Sequence, residues 1–382
     1  MLKRYFAFSY GCYHSMNKHT ISRRDFLKFI AIAASGLSLG AWKYGTASSA
    51  EFPQYDRLGR VCVGKIDVKI KPDQDSETIQ VLYEDAVVPW LREIVGRKPY
   101  YINQRWVETD GGYIYASYLQ PVRNLPNPPV TALIETSMGS GIWVEVTVPY
   151  AYVILQSAPS SHSWVEAKTE EGLPIRIYYG QVFWVDQIKT DDQGWVYYRV
   201  NPNYYGGVDM FWAPSESFRP IAQEELLPIS PEITDKRVEV NLLRQTVSCF
   251  EGKDEVNFFR VSTGAKYDAE GNPVDKWSTP VGTTRISRKY LSLQMSGGTT
   301  GAGYDLPGIG WTSIFATGGV ALHATVWHND FGVPRSHGCV NLLPEDAKWI
   351  YRWTMPVVPY DPGMVDISLS GDASTTVQVI ES

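Results

Sequence analysis

The chain has 382 residues, enough for two or three domains with sizeable cores. Charged residues make up 20% of it, beside 32 Gly and 24 Pro, which suits a turn-rich, strand-rich protein rather than a helical bundle. The net charge of −6 joins a basic stretch at residues 1–50 (seven Lys/Arg, one Asp) to an acidic remainder (28 basic, 40 acidic), so no basic footprint exists and nucleic acid is excluded as a partner.

Residues 1–50 read as an export leader. Ser22-Arg23-Arg24-Asp25-Phe26-Leu27-Lys28 resembles the twin-arginine signal. The apolar run from Phe29 to Trp42 is too short to span a bilayer comfortably. Small residues through Ala50 predict cleavage after that position, and Met16 is a more natural start than Met1. The protein is expected outside the cytoplasm, in the wall or periplasmic space, or held by an uncleaved leader at the outer face of the plasma membrane.

From residue 57 the pattern is β. Ile66, Val68 and Ile70 alternate with Asp67 and Lys69, the period of a half-buried strand. Short strands recur at about ten-residue spacing, ending in one read from Gly112 to Val122. The run Gly112-Tyr113-Ile114-Tyr115-Ala116-Ser117-Tyr118-Leu119-Gln120-Pro121-Val122 resembles the last strand of a bacterial Src-homology-3-like module, placed here at 57–124. Pro126-Asn127-Pro128-Pro129 reads as a linker. Trp143 to Val148 alternates, and the strands Gln181–Val185 and Trp195–Val200 flank a turn at Asp191-Asp192-Gln193-Gly194. Residues 142–222 are expected to be a second, divergent module of the same kind. Both modules either bind wall polymer or orient the C-terminal domain.

A third domain is expected at 236–370, with 371–382 as a tail. Val238, Val240 and Leu242 open a hairpin whose return passes Val247 and Phe250. Phe258 to Gly264 predicts a strand, and Thr279-Pro280-Val281-Gly282 a turn into the next. Pro344 to Trp353 predicts a helix: proline and acids begin it, Ala347, Ile350, Tyr351 and Thr354 share a face, and Pro356 stops it. Val357-Val358 and Val365-Ile367-Leu369 are expected to finish the sheet. The fold class is mainly β: two small barrels, then a β-rich domain with one short helix.

Of four cysteines, Cys12 lies in the leader, and Cys62 and Cys249 read as small buried hydrophobes, with a bridge between them as the alternative. Cys339 differs. It sits in Ser336-His337-Gly338-Cys339-Val340-Asn341, sixteen residues after His323. A thiol attacks as thiolate, and an adjacent imidazole is the usual way to form one near neutral pH. Gly338 lets the backbone approach a substrate carbonyl, and its N–H with that of Cys339 is expected to hold an oxyanion.

The pattern H-x(12)-S-H-G-C-V-N resembles the active-site signature of the YkuD-type L,D-transpeptidases, and the likeness covers about residues 236–370. It implies Cys339 as nucleophile, His323 as general base and acid, and His337 with Gly338 as the oxyanion loop. Ser336, Asn341, His328, Trp311 and Tyr304 are the candidate substrate contacts. Position 324, often glycine or serine in the family, is Ala324, which serves if the residue acts through its carbonyl. Position 341, often arginine, is Asn341, so no guanidinium contact to substrate is implied. The implied partners are peptidoglycan stem peptides as acyl donor and acceptor. A thioester forms with loss of D-alanine and passes to an amine, or to water in a carboxypeptidase. No metal or cofactor is called for.

Plainer readings compete. His337 and Ser336 also suit holding the loop, His328 suits a structural role, and Tyr304 and Trp311 suit core packing. NlpC-type peptidases place the cysteine before its histidine, and here no histidine follows Cys339. A metal peptidase using His323, His328, Asp330 and His337 matches no ligand spacing. A non-catalytic wall-binding protein is opposed by the intact Ser-His-Gly-Cys run.

Overall fold

The computed structural model describes residues 52–381 apart from 98, 100–101, 158–159, 161–162, 203–208, 268–271, 275–276 and 298–303. The expected leader, with Cys12, lies outside the described residues. The protein is mainly β, with two α-helices among the described residues, Ser163–Glu170 and Pro344–Trp353.

Residues 58–122 form a five-stranded and a three-stranded sheet around a small core that includes Val61, Trp90, Ile114 and Leu119. Strand Lys65–Lys69 buries Ile66 and Val68 and exposes Lys65 and Asp67. The segment expected as one terminal strand is two. Gly112–Tyr115 belongs to the larger sheet, a 3-10 turn at Ala116–Tyr118 redirects the chain and carries Ser117, and Leu119–Val122 joins the smaller sheet. The expected linker is also pinned: Asn127 N–H donates to Glu216 O (2.9 Å), and Val130 N–H to Tyr198 Oη (2.7 Å).

The next region is a six-stranded sheet in the order Ile154–Leu155, Phe211–Pro214, Val196–Asn201, Val182–Thr190, Ile142–Val146, Phe218–Pro220. The helix Ser163–Glu170 has no counterpart in the sequence reading, since Trp164 and Val165 adjoin rather than recur a turn apart. Strand Ile142–Val146 departs from simple alternation because both its faces are covered. Val144 and Val146 pack within their own sheet's core with Val185, whereas Trp143 and Trp184 share a core with Val238, Trp311 and Leu322 of the C-terminal region. Trp143 Nε1 donates to Tyr360 O (2.9 Å) across this junction. Gly308 sits there in the left-handed region (φ +62°), so close to Phe183 that a Cβ would meet its ring at 2.5 Å. The second β region is therefore continuous with the C-terminal one.

The C-terminal region holds two five-stranded sheets. One runs Asp254–Arg260, Thr246–Glu251, Lys236–Asn241, Thr376–Ile380, Gly282–Arg285. The other runs Val340–Leu342, Val320–Ala324, Tyr304–Ala316, Arg288–Gly297, Met364–Asp366. Two expectations are corrected. Val357-Val358 forms no strand. Residues 371–382 are no loose tail: Thr376–Ile380 pairs in parallel with Lys236–Asn241 and buries Val377 and Val379. The sequence hid this strand because polar Thr375, Thr376 and Gln378 interrupt a short run. Helix Pro344–Trp353 starts at its proline, carries Glu345 and Asp346 in its first turn, and buries Ala347, Ile350 and Tyr351. Two buried lysine side chains meet its C-terminal end. Lys289 Nζ donates to Thr354 O and Pro356 O (both 2.8 Å) as well as to Tyr351 O, and Lys236 Nζ donates to Trp353 O (2.9 Å).

Candidate active site

The parallel pairing of Val320–Ala324 with Val340–Leu342 sets His323 opposite Asn341. Cys339, two residues before Asn341, thereby reaches the cleft that His323 also lines. Met295, Tyr304 and Leu306 from the long hairpin, with Trp327, Ser336, His337 and Asn341, complete its walls. The cleft is narrow, about 20 Å³. A larger cavity of about 490 Å³ lies elsewhere, lined by Arg105, Phe258, Arg260, Asn329, Asp346 and Trp349 among others, and neither His323 nor Cys339 borders it. Chemistry rather than size therefore marks the site.

His323 is buried, with Nδ1 2.8 Å from Ala324 O. A carbonyl only accepts, so Nδ1 carries the proton and Nε2 keeps its lone pair for a thiol. Burial lowers the ring's pKa to about 4, against the opposing pull of the Ala324 carbonyl. Burial pushes the Cys339 thiol up to about 11, while a backbone hydrogen bond with Ala321 acts the other way. Both groups are thus neutral at pH 7. Burial disfavours the charged form of each group.

The turn before Cys339 is held from within and from outside. Ser336 Oγ donates to Cys339 O (2.5 Å) and accepts from Gly338 N–H (3.1 Å). Gly338 has φ +122°, a conformation that a side chain would strain. Its carbonyl accepts from Thr279 Oγ1 (2.8 Å), which in turn accepts from Gly264 N–H (2.9 Å). Gly338 N–H is therefore occupied by Ser336 and is not the expected oxyanion donor. The loop also pairs with residues 262–265, where Arg335 N–H donates to Thr263 O (2.8 Å) and Asn341 N–H to Ser262 O (2.8 Å).

Five of the predicted residues besides His323 and Cys339 stand at or beside this cleft. His337 lies between Trp277 (centroids 4.5 Å) and Tyr304 (5.3 Å). Burial raises the Tyr304 phenol, and Cys339 adds to that. Ser336 and Asn341 line the cleft, and Gly338 shapes the turn. Two predicted contacts fall elsewhere. Trp311 is buried in the core against Tyr351 (centroids 5.5 Å), because the helix Pro344–Trp353 covers it. His328 stands behind Asn341 rather than in the cleft wall. Its Nδ1 accepts from Asp330 N–H (3.1 Å), so the neutral ring carries its proton on Nε2. That proton faces the Asn341 amide 2.9 Å away, and the amide must offer its oxygen there. Burial lowers the His328 pKa to about 3, so the ring stays neutral.

The sequence reading missed Thr279, Met295, Leu306 and Trp327, whose ring lies 5.8 Å from that of His323. Thr279 alone had a signal, as the first residue of the Thr-Pro-x-Gly turn. Among the described residues, no three His, Cys, Asp or Glu side chains gather as for a metal ion. Cys62 and Cys249 are free thiols, so the bridge alternative falls.

Residues 235–378 match the family model described as YkuD, the L,D-transpeptidase catalytic domain. Solved structures resemble parts of the chain. A variant of the Enterococcus faecium L,D-transpeptidase is 22% identical over 39% of this chain and 51% of its own, with a TM-score of 0.28. An L,D-transpeptidase from Xylanimonas cellulosilytica is 23% identical over 40% of this chain and 64% of its own, with a TM-score of 0.27. One from Mycobacterium smegmatis is 16% identical over 66% of this chain and 95% of its own, with a TM-score of 0.29. The chain thus spans about half the length of the Enterococcus structure. No curated protein matches it.

Proposed function

Taking residues 235–378 as a YkuD L,D-transpeptidase catalytic domain, we propose that the protein is an exported cysteine acyltransferase that cross-links peptidoglycan stem peptides. The observation that carries this reading is the shared cleft, where Cys339 and His323 are both present and the imidazole's other nitrogen is tied to Ala324 O.

Cys339 Sγ attacks the carbonyl of the third stem residue while His323 Nε2 takes the thiol proton. The oxyanion meets backbone N–H at Cys339, the remaining donor of the pair expected from sequence. D-Alanine leaves with the proton from the imidazolium, and a thioester remains. The amine of a second stem attacks the thioester and gives its proton to His323, forming the cross-link and restoring the thiol. Water in that role would yield a shortened stem instead. Export through the twin-arginine route rests on the leader sequence. A Src-homology-3-like character for 57–124 and 142–222, and any hold on wall polymer, rest on sequence likeness.

The test is the intact mass of the purified protein after incubation with a carbapenem, beside Cys339→Ala. One adduct per chain, lost in the variant, supports the reading. No adduct on a folded, reduced protein would overturn it and favour a wall-binding role. Mass analysis of products from stem tetrapeptides then separates cross-linked dimers from hydrolysed tripeptides.

A further inference from the structure

The loop from Thr325 to Arg335 connects His323 to the turn that carries Cys339, and the first β region grips it at three successive points. Arg60 donates to Val326 O (2.6 Å). Arg105 donates to Asn329 O (2.8 Å), and Asn329 N–H returns a bond to Ser117 O (3.1 Å). Asp330, 2% exposed, accepts at Oδ1 from Asn103 Nδ2 (3.0 Å) and Ser117 Oγ (2.8 Å). Its Oδ2 accepts from Arg335 Nε (2.6 Å). The Asp330 N–H then holds His328, which holds Asn341 beside His323.

A carboxylate this deeply buried persists only where donors fill its lone pairs. Two of the donors here come from the first β region, more than two hundred residues away in sequence. We propose that Asp330 is a positioning residue for the Cys339–His323 pair, and that Asn103 and Ser117 make the first β region a working part of the active site rather than a detachable wall-binding module. The inference rests on the acyl-transfer reading of Cys339 and His323.

The experiment measures carbapenem acylation of the full-length protein, with its maximal rate constant, half-saturating concentration and final adducts per chain. The variants are Asp330→Asn, the double variant Asn103→Leu/Ser117→Ala, and Arg92→Ala. The last breaks a solvent-exposed pair with Glu108 in the same region and serves as the control. The expected result is at least a tenfold drop in the maximal rate for the first two. Their half-saturating concentration holds, their final adduct remains one per chain, and the control is unaffected. A merely structural role would instead lower the adduct fraction and leave the rate per competent site unchanged. Either that result or wild-type rates in both variants would overturn the proposal. Absence of any adduct on the wild-type protein would instead count against the acyl-transfer reading itself.

Discussion

Burial disfavours the charged forms of both Cys339 and His323, and this predicts effects on reactivity and on stability. With the thiol near 11, alkylation by iodoacetamide should rise about tenfold per pH unit from 7 to 10. A plateau near neutrality would mean that a thiolate–imidazolium pair already exists. The stability effect has the opposite origin. The folded His323 titrates near 4 and the unfolded one near 6.5, so the unfolded chain binds the extra proton between those values. Stability is full above about pH 6.5 and falls as pH drops towards 4, with a loss of about 2 kcal/mol at pH 5 from His323 alone. His328 pushes the same way and extends the window towards 3. Urea midpoints at pH 7 and 5 test this, and equal midpoints would contradict it. Thr279 gives a third test. Thr279→Ala removes the hydroxyl between Gly264 N–H and Gly338 O, leaving two buried backbone groups unpaired at a cost of about 1–3 kcal/mol. It should also slow acylation, and Thr279→Ser should recover both. The local signature Ser-His-Gly-Cys singles out Cys339 in sequence as the candidate nucleophile. Met295, Leu306 and Trp327, which line the same cleft, are announced by no motif.

At the scale of elements, the span of the helix Pro344–Trp353 is legible, because its proline, its acids and its apolar spacing all agree. Its far end was not legible, since the lysines that meet its carbonyls come from distant strands. Lys289→Met should destabilise the protein by about 2–4 kcal/mol, because Tyr351 O, Thr354 O and Pro356 O lose their shared donor together. Thermal melts would show it, and an unchanged midpoint would refute the role. Strand Ile142–Val146 misled the sequence reading in another way. A period of two implies one wet face, and here the second face is roofed by the C-terminal region.

Across the whole molecule, the residues that tie one β region to another are scattered over most of the described chain. Asn103 and Asp330, or Trp143 and Tyr360, are neighbours only after folding, so no local pattern reveals them. The continuous core predicts that the second β region and the C-terminal region melt together. Trp143→Ala should cost about 3–5 kcal/mol and shift one shared transition. Two separated transitions for these regions in calorimetry would contradict that. The strand Thr376–Ile380 carries a consequence for synthesis. It fills the gap between Lys236–Asn241 and Gly282–Arg285, so the sheet stays open until about 140 residues have followed its first strand. His323 and Cys339 are translated well before that strand. A ribosome that stops after residue 370 therefore releases a product with the full Ser-His-Gly-Cys run but a sheet that lacks the strand between Lys236–Asn241 and Gly282–Arg285.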